Sequence, residues 1–234
     1  MNILTELENF INEFNKLNNE DFSIDSIRIE FDKQYKLTPL KELGNWSKID
    51  KNNQTILAKL KKRLTDNEVT SAYRLEKNNI YYYNKRDTLT NKYRSAELVI
   101  FGMKQYHKDP PPRELISKIL SILKDVSNID LCLDLPYKPN LNKLKKIYEL
   151  RPYITDKGVV TDTRYINTPD ITMIEKIVIY NKQLKNSLGF AVWRIEAKML
   201  IPNIKILSLP LYEFKELIID LMRDKQTIQV KGSK

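Results

Sequence analysis

The sequence predicts an α+β fold, in which an antiparallel or mixed central sheet carries helices packed on one face. Three observations lead to this prediction. Some segments place apolar residues at three- and four-residue spacing, others alternate apolar and polar residues, and hairpins of strands are interrupted by helices. The 234 residues are 41% hydrophobic, which is enough for a real core. We expect a single domain over residues 1–234, with a possible internal boundary at the proline-rich residues 109–112.

The first half of the chain alternates helical and extended patterns. Leu7, Phe10 and Phe14 form part of one apolar stripe, which predicts an amphipathic helix over Met1–Leu17. Alternation predicts a strand over Ser23–Tyr35, and a basic amphipathic helix follows at Gln54–Leu64. A phosphate-contacting helix and a solvated face both fit that basic segment. Runs of β-branched and aromatic residues then predict a meander, with strands over Val69–Leu75, Ile80–Tyr83 and Tyr93–Met103.

The second half begins with a strongly periodic segment, which predicts a core helix over Arg113–Val126. The last helix is expected from about Leu209 to Met222, with Pro210 in its first turn. Between them we predict one further helix and four strands: the helix over Leu141–Leu150, and the strands over Asn128–Leu135, Val159–Ile166, Lys176–Lys182 and Ala191–Leu200.

The charge balance favours a polyanionic partner. The chain contains 40 Lys and Arg residues and 30 Asp and Glu residues, which gives a formal net charge of +10. Basic residues that neutralise phosphates release condensed counterions, so such an excess favours nucleic acid. The codon bias of an AT-rich genome is the alternative source of so many lysines. A single cysteine and no apolar run near 20 residues predict a cytoplasmic protein that does not insert into a membrane.

Several chemistries are excluded by composition. One histidine, His107, and one cysteine, Cys132, cannot form a four-ligand His/Cys zinc site within one chain. Five glycines without a glycine-rich turn exclude a P-loop or a dinucleotide fingerprint. Carboxylates, tyrosines and basic groups remain as carriers of chemistry, and His107 is expected in a loop without a role.

The strand over Asn128–Leu135 carries two carboxylates on one face. Alternation places Asp130, Cys132 and Asp134 together and leaves an apolar face opposite. Neighbouring carboxylates repel unless a cation lies between them, and Mg²⁺ or Mn²⁺ is a suitable cation. An ordinary strand with a solvent-facing side is the alternative interpretation.

Three other strands carry charged or aromatic residues in similar patterns. Arg194, Glu196 and Lys198 share one face, which suits either a salt-bridged ladder or a metal ligand between phosphate-binding cations. Tyr180 and Lys182 are expected to point the same way from their strand. The fourth segment is Ser26–Asp32, which contains Arg28.

Taken in chain order, the four segments resemble the rolling-circle replication initiators of Gram-positive plasmids, the Rep_trans group, and related initiation factors of phages and mobile elements. The matching residues are Arg28 to Phe31, Asn128 to Asp134, Tyr180 to Lys182, and Arg194 to Lys198. The resemblance implies an enzyme in which a tyrosine attacks one DNA strand, becomes linked to the 5′ phosphate and leaves a 3′ hydroxyl. It also implies a divalent ion, Mg²⁺ or Mn²⁺, held by acidic residues, here Asp130, Asp134 and Glu196.

The resemblance also suggests residue roles in DNA processing. Tyr165 lies in the interval where the group carries its nucleophile, although the Gly-Ser-Arg-like stretch usual there is missing. Tyr180 is the second candidate and Tyr153 the third. Contacts to DNA phosphates are expected from four basic residues: Arg28, Lys182, Arg194 and Lys198.

The expected partner is origin DNA, either single-stranded or in a hairpin. A homo-oligomer of the chain is a further possible partner. Two other functions stay open at this stage. One is a non-catalytic DNA-binding or regulatory protein of a plasmid or phage on the same scaffold. The other is an interaction protein without nucleic-acid chemistry, in which the positive charge reflects codon bias.

Overall fold

A computed structural model describes residues 2–31, 38–61, 67–89, 94–202 and 207–222. The chain forms two compact units. Unit 1 comprises Met1–Asn9 and Ile24–Ile129, and unit 2 comprises Phe10–Ser23 and Asp130–Lys234. The described residues form six α-helices, one 3₁₀-helix and ten strands, which confirms the predicted α+β class.

The strands of unit 1 follow the order β2-β3-β4-β5-β1, and each neighbouring pair is antiparallel. The meander predicted from the sequence is therefore confirmed. The elements of this part of the chain are α1 (Ile3–Asn18, which continues into unit 2), β1 (Ser23–Phe31), η1 (Thr38–Leu43), β2 (Trp46–Lys48), α2 (Gln54–Lys61), β3 (Asn67–Leu75), β4 (Ile80–Asp87), β5 (Arg94–Phe101) and α3 (Arg113–Leu123).

One face of this sheet is covered by α2. Ile56, Leu57 and Leu60 of the helix pack against a cluster that includes Tyr81 and Tyr83. Aromatic and β-branched side chains suit this position because they present wide apolar surfaces across a pleated sheet. The opposite face is also buried, since the residues that alternate with these carry apolar side chains: Ile27, Ile29, Leu98 and Ile100.

Strand β6 (Asn128–Leu135) contains the point where the two units divide, between Ile129 and Asp130. In unit 2 the strand order is β6-β10-β9-β8-β7. The pairs β7–β8, β8–β9 and β9–β10 are antiparallel. The remaining elements are α4 (Leu144–Ile147), β7 (Arg151–Ile154), β8 (Val160–Ile171), β9 (Ile174–Asn181), α5 (Lys182–Asn186), β10 (Trp193–Leu200) and α6 (Ser208–Met222).

Among the differences between the predicted and observed elements of unit 2, two concern α4 and α5. The helix expected over Leu141–Leu150 has a single turn, α4, because the backbone becomes extended at Tyr148. The strand expected to reach Lys182 ends at Asn181, whose side-chain Oδ1 accepts a hydrogen bond of 2.9 Å from the Leu184 amide. Asn181 is thus the N-cap of α5, and capping draws Lys182 into a helix.

The division between the units lies inside β6, and the domain boundary expected at residues 109–112 stays a prediction. The single-domain interpretation stays a prediction. The predicted extensions of β1 to Tyr35, of α2 to Leu64 and of β5 to Tyr93 lie outside the described residues. Among the helices in the described ranges, none is both long enough and apolar enough to cross a bilayer.

Candidate active site

Three strands of unit 2 align a tyrosine and a carboxylate on one face. Val178 of β9 is the cross-strand partner of Tyr165 on β8 and also of Glu196 on β10. Directly paired residues point to the same side of a sheet, so Tyr165 and Glu196 share that face. Adjacent strands are about 4.8 Å apart, which separates the two Cα atoms by about 10 Å. Their side chains can therefore converge on one bound group.

Tyr165 is half-buried and carries a cation beside its ring. Lys176 Nζ lies 4.3 Å from the ring centroid. The ring of Tyr153 on β7 stands 6.4 Å from that of Tyr165 in an edge-on arrangement. The backbone partner of Tyr165 on β7 is Arg151. The first-choice nucleophile thus stands next to two basic residues that can attract a phosphate.

Glu196 is buried and accepts a hydrogen bond from a second tyrosine. The Tyr180 hydroxyl donates to Glu196 Oε2 over 3.2 Å, and Tyr180 is only 6% exposed. Lys185 Nζ lies 4.3 Å from the Tyr180 ring centroid. This geometry fixes the Glu196 carboxylate on the same face as Tyr165. It also places Tyr180, the second candidate nucleophile, in the interior of the unit.

The carboxylate of Asp134 is held by Arg194. Arg194 donates from Nε to Asp134 Oδ1 and from Nη2 to Oδ2, each over 2.6 Å. The Arg194 side chain is fully buried and that of Asp134 is 12% exposed. Two parallel charge-assisted bonds of this kind are the strongest form of an ion pair. Of the two interpretations of the Arg194, Glu196 and Lys198 pattern, a salt-bridged arrangement therefore describes Arg194.

The predicted metal ligands do not form a ready three-ligand site. Asp130 is buried on β6, on the same face as Asp134 by strand alternation. Within the described ranges, no three His, Cys, Asp or Glu side chains are grouped so as to hold a metal ion. Carboxylate oxygens suit Mg²⁺ or Mn²⁺ chemically, but Arg194 already neutralises one of the three proposed ligands. The role of Asp130, Asp134 and Glu196 as ligands of a divalent ion therefore stays a prediction.

The other predicted phosphate contacts of unit 2 have different surroundings. Lys182 starts α5, is 1% exposed and donates its backbone N–H to the Val192 carbonyl. Lys198 forms an ion pair with Glu175, at 2.6 Å between Nζ and Oε2, and its side chain is 24% exposed. Lys198 is therefore the more accessible of the two, and their roles in DNA binding stay predictions.

Arg28 belongs to a buried polar cluster in unit 1. Its Nη1 donates to Asn128 Oδ1 over 3.1 Å, and its Nε lies 3.6 Å from Glu97 Oε1. Lys85 Nζ contacts the other oxygen of Glu97 at 3.1 Å. Arg28 is 2% exposed, so in this conformation its guanidinium is held inside unit 1, and its contact with DNA stays a prediction.

A cavity that the sequence did not reveal lies beside Tyr165. Its volume is about 580 Å³, and four of its lining residues are Ile147, Tyr148, Glu149 and Arg151. The others come from β8 and the bulge that follows Asn167: Ile166, Asn167, Thr168 and Asp170. Periodicity does not predict a bulge, so no sequence signal indicated this cavity.

Tyr148 of the cavity has a raised pKa. Burial is the main cause, and the nearby carboxylates of Asp170 and Glu213 add to it by repelling a phenolate. Tyr148 therefore keeps its proton at neutral pH and can donate a hydrogen bond from the cavity wall. The same shift makes Tyr148 a poor nucleophile.

Comparison with solved structures finds similar chains, one of which is described here by its published words. The solved structure described as "Structure of Rolling Circle Replication Initiator Protein from Geobacillus stearothermophilus" has a TM-score of 0.45 with this chain and 12% sequence identity. The match covers 87% of this chain and 84% of that one. No protein-family model and no curated protein sequence matches the chain.

Proposed function

We propose that the chain is a DNA-binding replication initiator of the rolling-circle type, which nicks one strand at an origin with Tyr165 as nucleophile. The observation that carries this proposal is the alignment of Tyr165 with Glu196 across β8, β9 and β10, with Lys176 beside the tyrosine ring. A half-buried phenol, a carboxylate and a cation on one sheet face are groups that phosphoryl transfer to tyrosine can use.

The proposed reaction exchanges one phosphodiester bond for another. The Tyr165 oxygen bonds to the scissile phosphorus as its hydroxyl proton is lost. The bond from phosphorus to the 3′ oxygen then breaks, and that oxygen takes up a proton to give a free 3′ hydroxyl. Lys176 and Arg151 attract the phosphate to this face and stabilise its charge. The covalent product, with protein on the 5′ phosphate, conserves the energy of the broken bond for later rejoining.

The involvement of Mg²⁺ or Mn²⁺ is a separate part of the proposal. Asp130 and Glu196 supply oxygen donors of the right chemistry, whereas Asp134 is held by Arg194. No step above depends on the ion. Comparing adduct formation in EDTA with that in added Mg²⁺ or Mn²⁺ decides whether the reaction needs one.

The experiment that tests nicking follows the covalent adduct. Purified protein is mixed with supercoiled plasmid or with single-stranded and hairpin oligonucleotides labelled at the 3′ end, and the products are separated in denaturing detergent. Tyr165→Phe removes only the hydroxyl, so we expect it to abolish the adduct while DNA affinity stays within a few fold of wild type. Tyr153→Phe is the matched control, because it removes only the hydroxyl of the neighbouring ring and leaves the proposed nucleophile intact.

Two outcomes would redirect the assignment. If Tyr165→Phe still forms the adduct and Tyr180→Phe does not, the nucleophile is the buried Tyr180. If the wild-type protein binds DNA but forms no adduct in either metal, the non-catalytic DNA-binding function takes its place. The Asp134–Arg194 pair favours that second function, because it occupies a carboxylate that a metal-dependent nickase would use. If the chain is instead an interaction protein without nucleic-acid chemistry, salt-dependent DNA binding should not be observed.

A further inference from the structure

We infer that the cavity beside Tyr165 binds a nucleobase of the DNA strand, next to the phosphate that Tyr165 attacks. This inference rests on the proposed DNA-binding function and adds a base-reading site to it. The cavity volume of about 580 Å³ falls within the range of about 300–1,000 Å³ typical of small-molecule sites. An unstacked base with its sugar is a ligand of that size class.

The position of the cavity links it to the proposed nucleophile. Arg151, on the cavity wall, is the direct cross-strand partner of Tyr165. Asn167, also on the wall, follows Tyr165 by two residues on β8 and points to the same side. A strand whose phosphate lies at Tyr165 therefore passes the mouth of the cavity within the span of a nucleotide or two.

The lining has the chemistry that a nucleobase needs. Ile147 and the Tyr148 ring supply apolar and aromatic surface for stacking, which is tolerant of base identity. The Asn167 amide both donates and accepts, Arg151 donates, and Asp170 accepts from exocyclic amines. Asp170 would repel a free phosphate, and Glu149 pairs with Arg151 at 3.0 Å, so the lining favours a base over the backbone.

The backbone around the cavity has an unusual conformation. Thr168 and Asp170 both adopt left-handed conformations, with φ of 51° and 54°. Such conformations are costly for a β-branched residue and occur where the surroundings enforce them, often at ligand sites. Here they turn Asn167, Thr168 and Asp170 along the cavity wall instead of continuing regular strand pairing.

Exposed lysines precede the cavity in sequence. Lys143, Lys145 and Lys146 all lie in or next to α4, directly before Ile147 and Tyr148. They can neutralise the phosphates on either side of an inserted base without contacting the base itself. The lysines would thus bind DNA of any sequence, and the cavity would distinguish one base from another.

The test compares strands that carry the same charge with and without bases. Fluorescent single strands of about 15 nucleotides, a length that spans one or more binding sites, are prepared as homopolymers of dA, dC or dT, as a mixed dG and dT strand, and as an abasic strand. We expect wild-type protein to bind at least one base-containing strand about tenfold or more tightly than the abasic strand. Asn167→Ala and Tyr148→Leu should each reduce that ratio by about fivefold or more, with little change in abasic affinity.

Asn142→Ala is the matched control, because it removes an exposed amide of unit 2 outside the cavity and should keep the wild-type ratio. Urea unfolding of Tyr148→Leu shows whether that variant is folded, and Asn167→Ala tests the cavity at an exposed position in any case. Equal binding of abasic and base-containing strands, or an unchanged ratio in Asn167→Ala, would overturn the base site alone. Absence of binding to every strand would overturn the proposed function as well.

Discussion

Replacing Asp134 distinguishes its role as a buried ion-pair partner from its predicted role as a metal ligand. Asp134→Ala leaves the fully buried Arg194 guanidinium without the two bonds of 2.6 Å that it makes to this carboxylate. Removing one partner of a buried pair costs about 3–5 kcal/mol, because the remaining charge stays desolvated. The Asp134 side chain is 12% exposed, so water can partly compensate. We expect a loss near the lower end, about 3 kcal/mol.

Urea unfolding at neutral pH measures this loss. With a slope of about 1–3 kcal/mol per molar urea, the midpoint should fall by about 1–3 M. Asp162→Ala is the control, because its pair with Lys138, at 3.3 Å, is more than half exposed on both sides. Exposed pairs contribute at most about 1 kcal/mol, so this second variant should unfold close to wild type.

One result would refute the ion-pair reasoning. Suppose that Asp134→Ala unfolds within about 1 kcal/mol of wild type, and that Mn²⁺ stabilises the wild-type protein but not the variant. Asp134 would then act as a ligand, and Arg194 would release it when the ion binds. A variant that is destabilised equally with and without Mn²⁺ supports the ion pair.

Three further predictions concern packing, pH and salt. Leu60→Ala, which truncates a 1% exposed side chain on the buried face of α2, should lower the free energy of unfolding by about 2–5 kcal/mol in urea titrations. Burial raises the pKa of Tyr81 above 10.0, so the neutral Tyr81 side chain contributes fully to stability below that pH, and this contribution is lost as the pH rises through the raised pKa. Tyr81→Phe cannot ionise, so the free energy of unfolding should decline less at alkaline pH than in wild type. Raising salt from about 50 to 200 mM should weaken DNA binding at least about tenfold in fluorescence titrations, whereas salt-independent binding would contradict a phosphate-based interface.

Local patterns in the sequence predicted most elements, because each element buries one face. Strand β6 begins and ends at the residues expected from its alternation, Asn128 and Leu135. The helix α6 likewise begins within one residue of the expected Leu209 and ends at Met222. Periods of 2 and 3.6 residues carry this information within short windows, so no knowledge of distant residues is needed.

The candidate site was predictable only in part, because its geometry depends on pairing between distant segments. Alternation correctly placed Arg194 and Glu196 on one face of β10. It could not reveal that Arg194 binds Asp134, which lies 60 residues away, or that Tyr180 donates to Glu196. The prediction that the strand extends to Lys182 was wrong because the Asn181 side chain caps a helix that begins at Lys182. The cavity depends on a bulge after Asn167, which interrupts the period on which such predictions depend.

The surroundings of the two leading tyrosines favour Tyr165 over Tyr180 as the proposed nucleophile. A nucleophile must bring its oxygen in line with the scissile phosphate, so its hydroxyl needs access from outside the sheet. Tyr180 is 6% exposed and its hydroxyl is directed to Glu196 Oε2, so attack from Tyr180 would require that hydrogen bond to break. Tyr165 is half-buried on β8, next to the strand β7 that ends this part of the sheet, with Lys176 beside its ring. The Tyr180 hydroxyl is therefore suited to holding the Glu196 carboxylate in place, and the Tyr165 hydroxyl to the proposed attack on DNA.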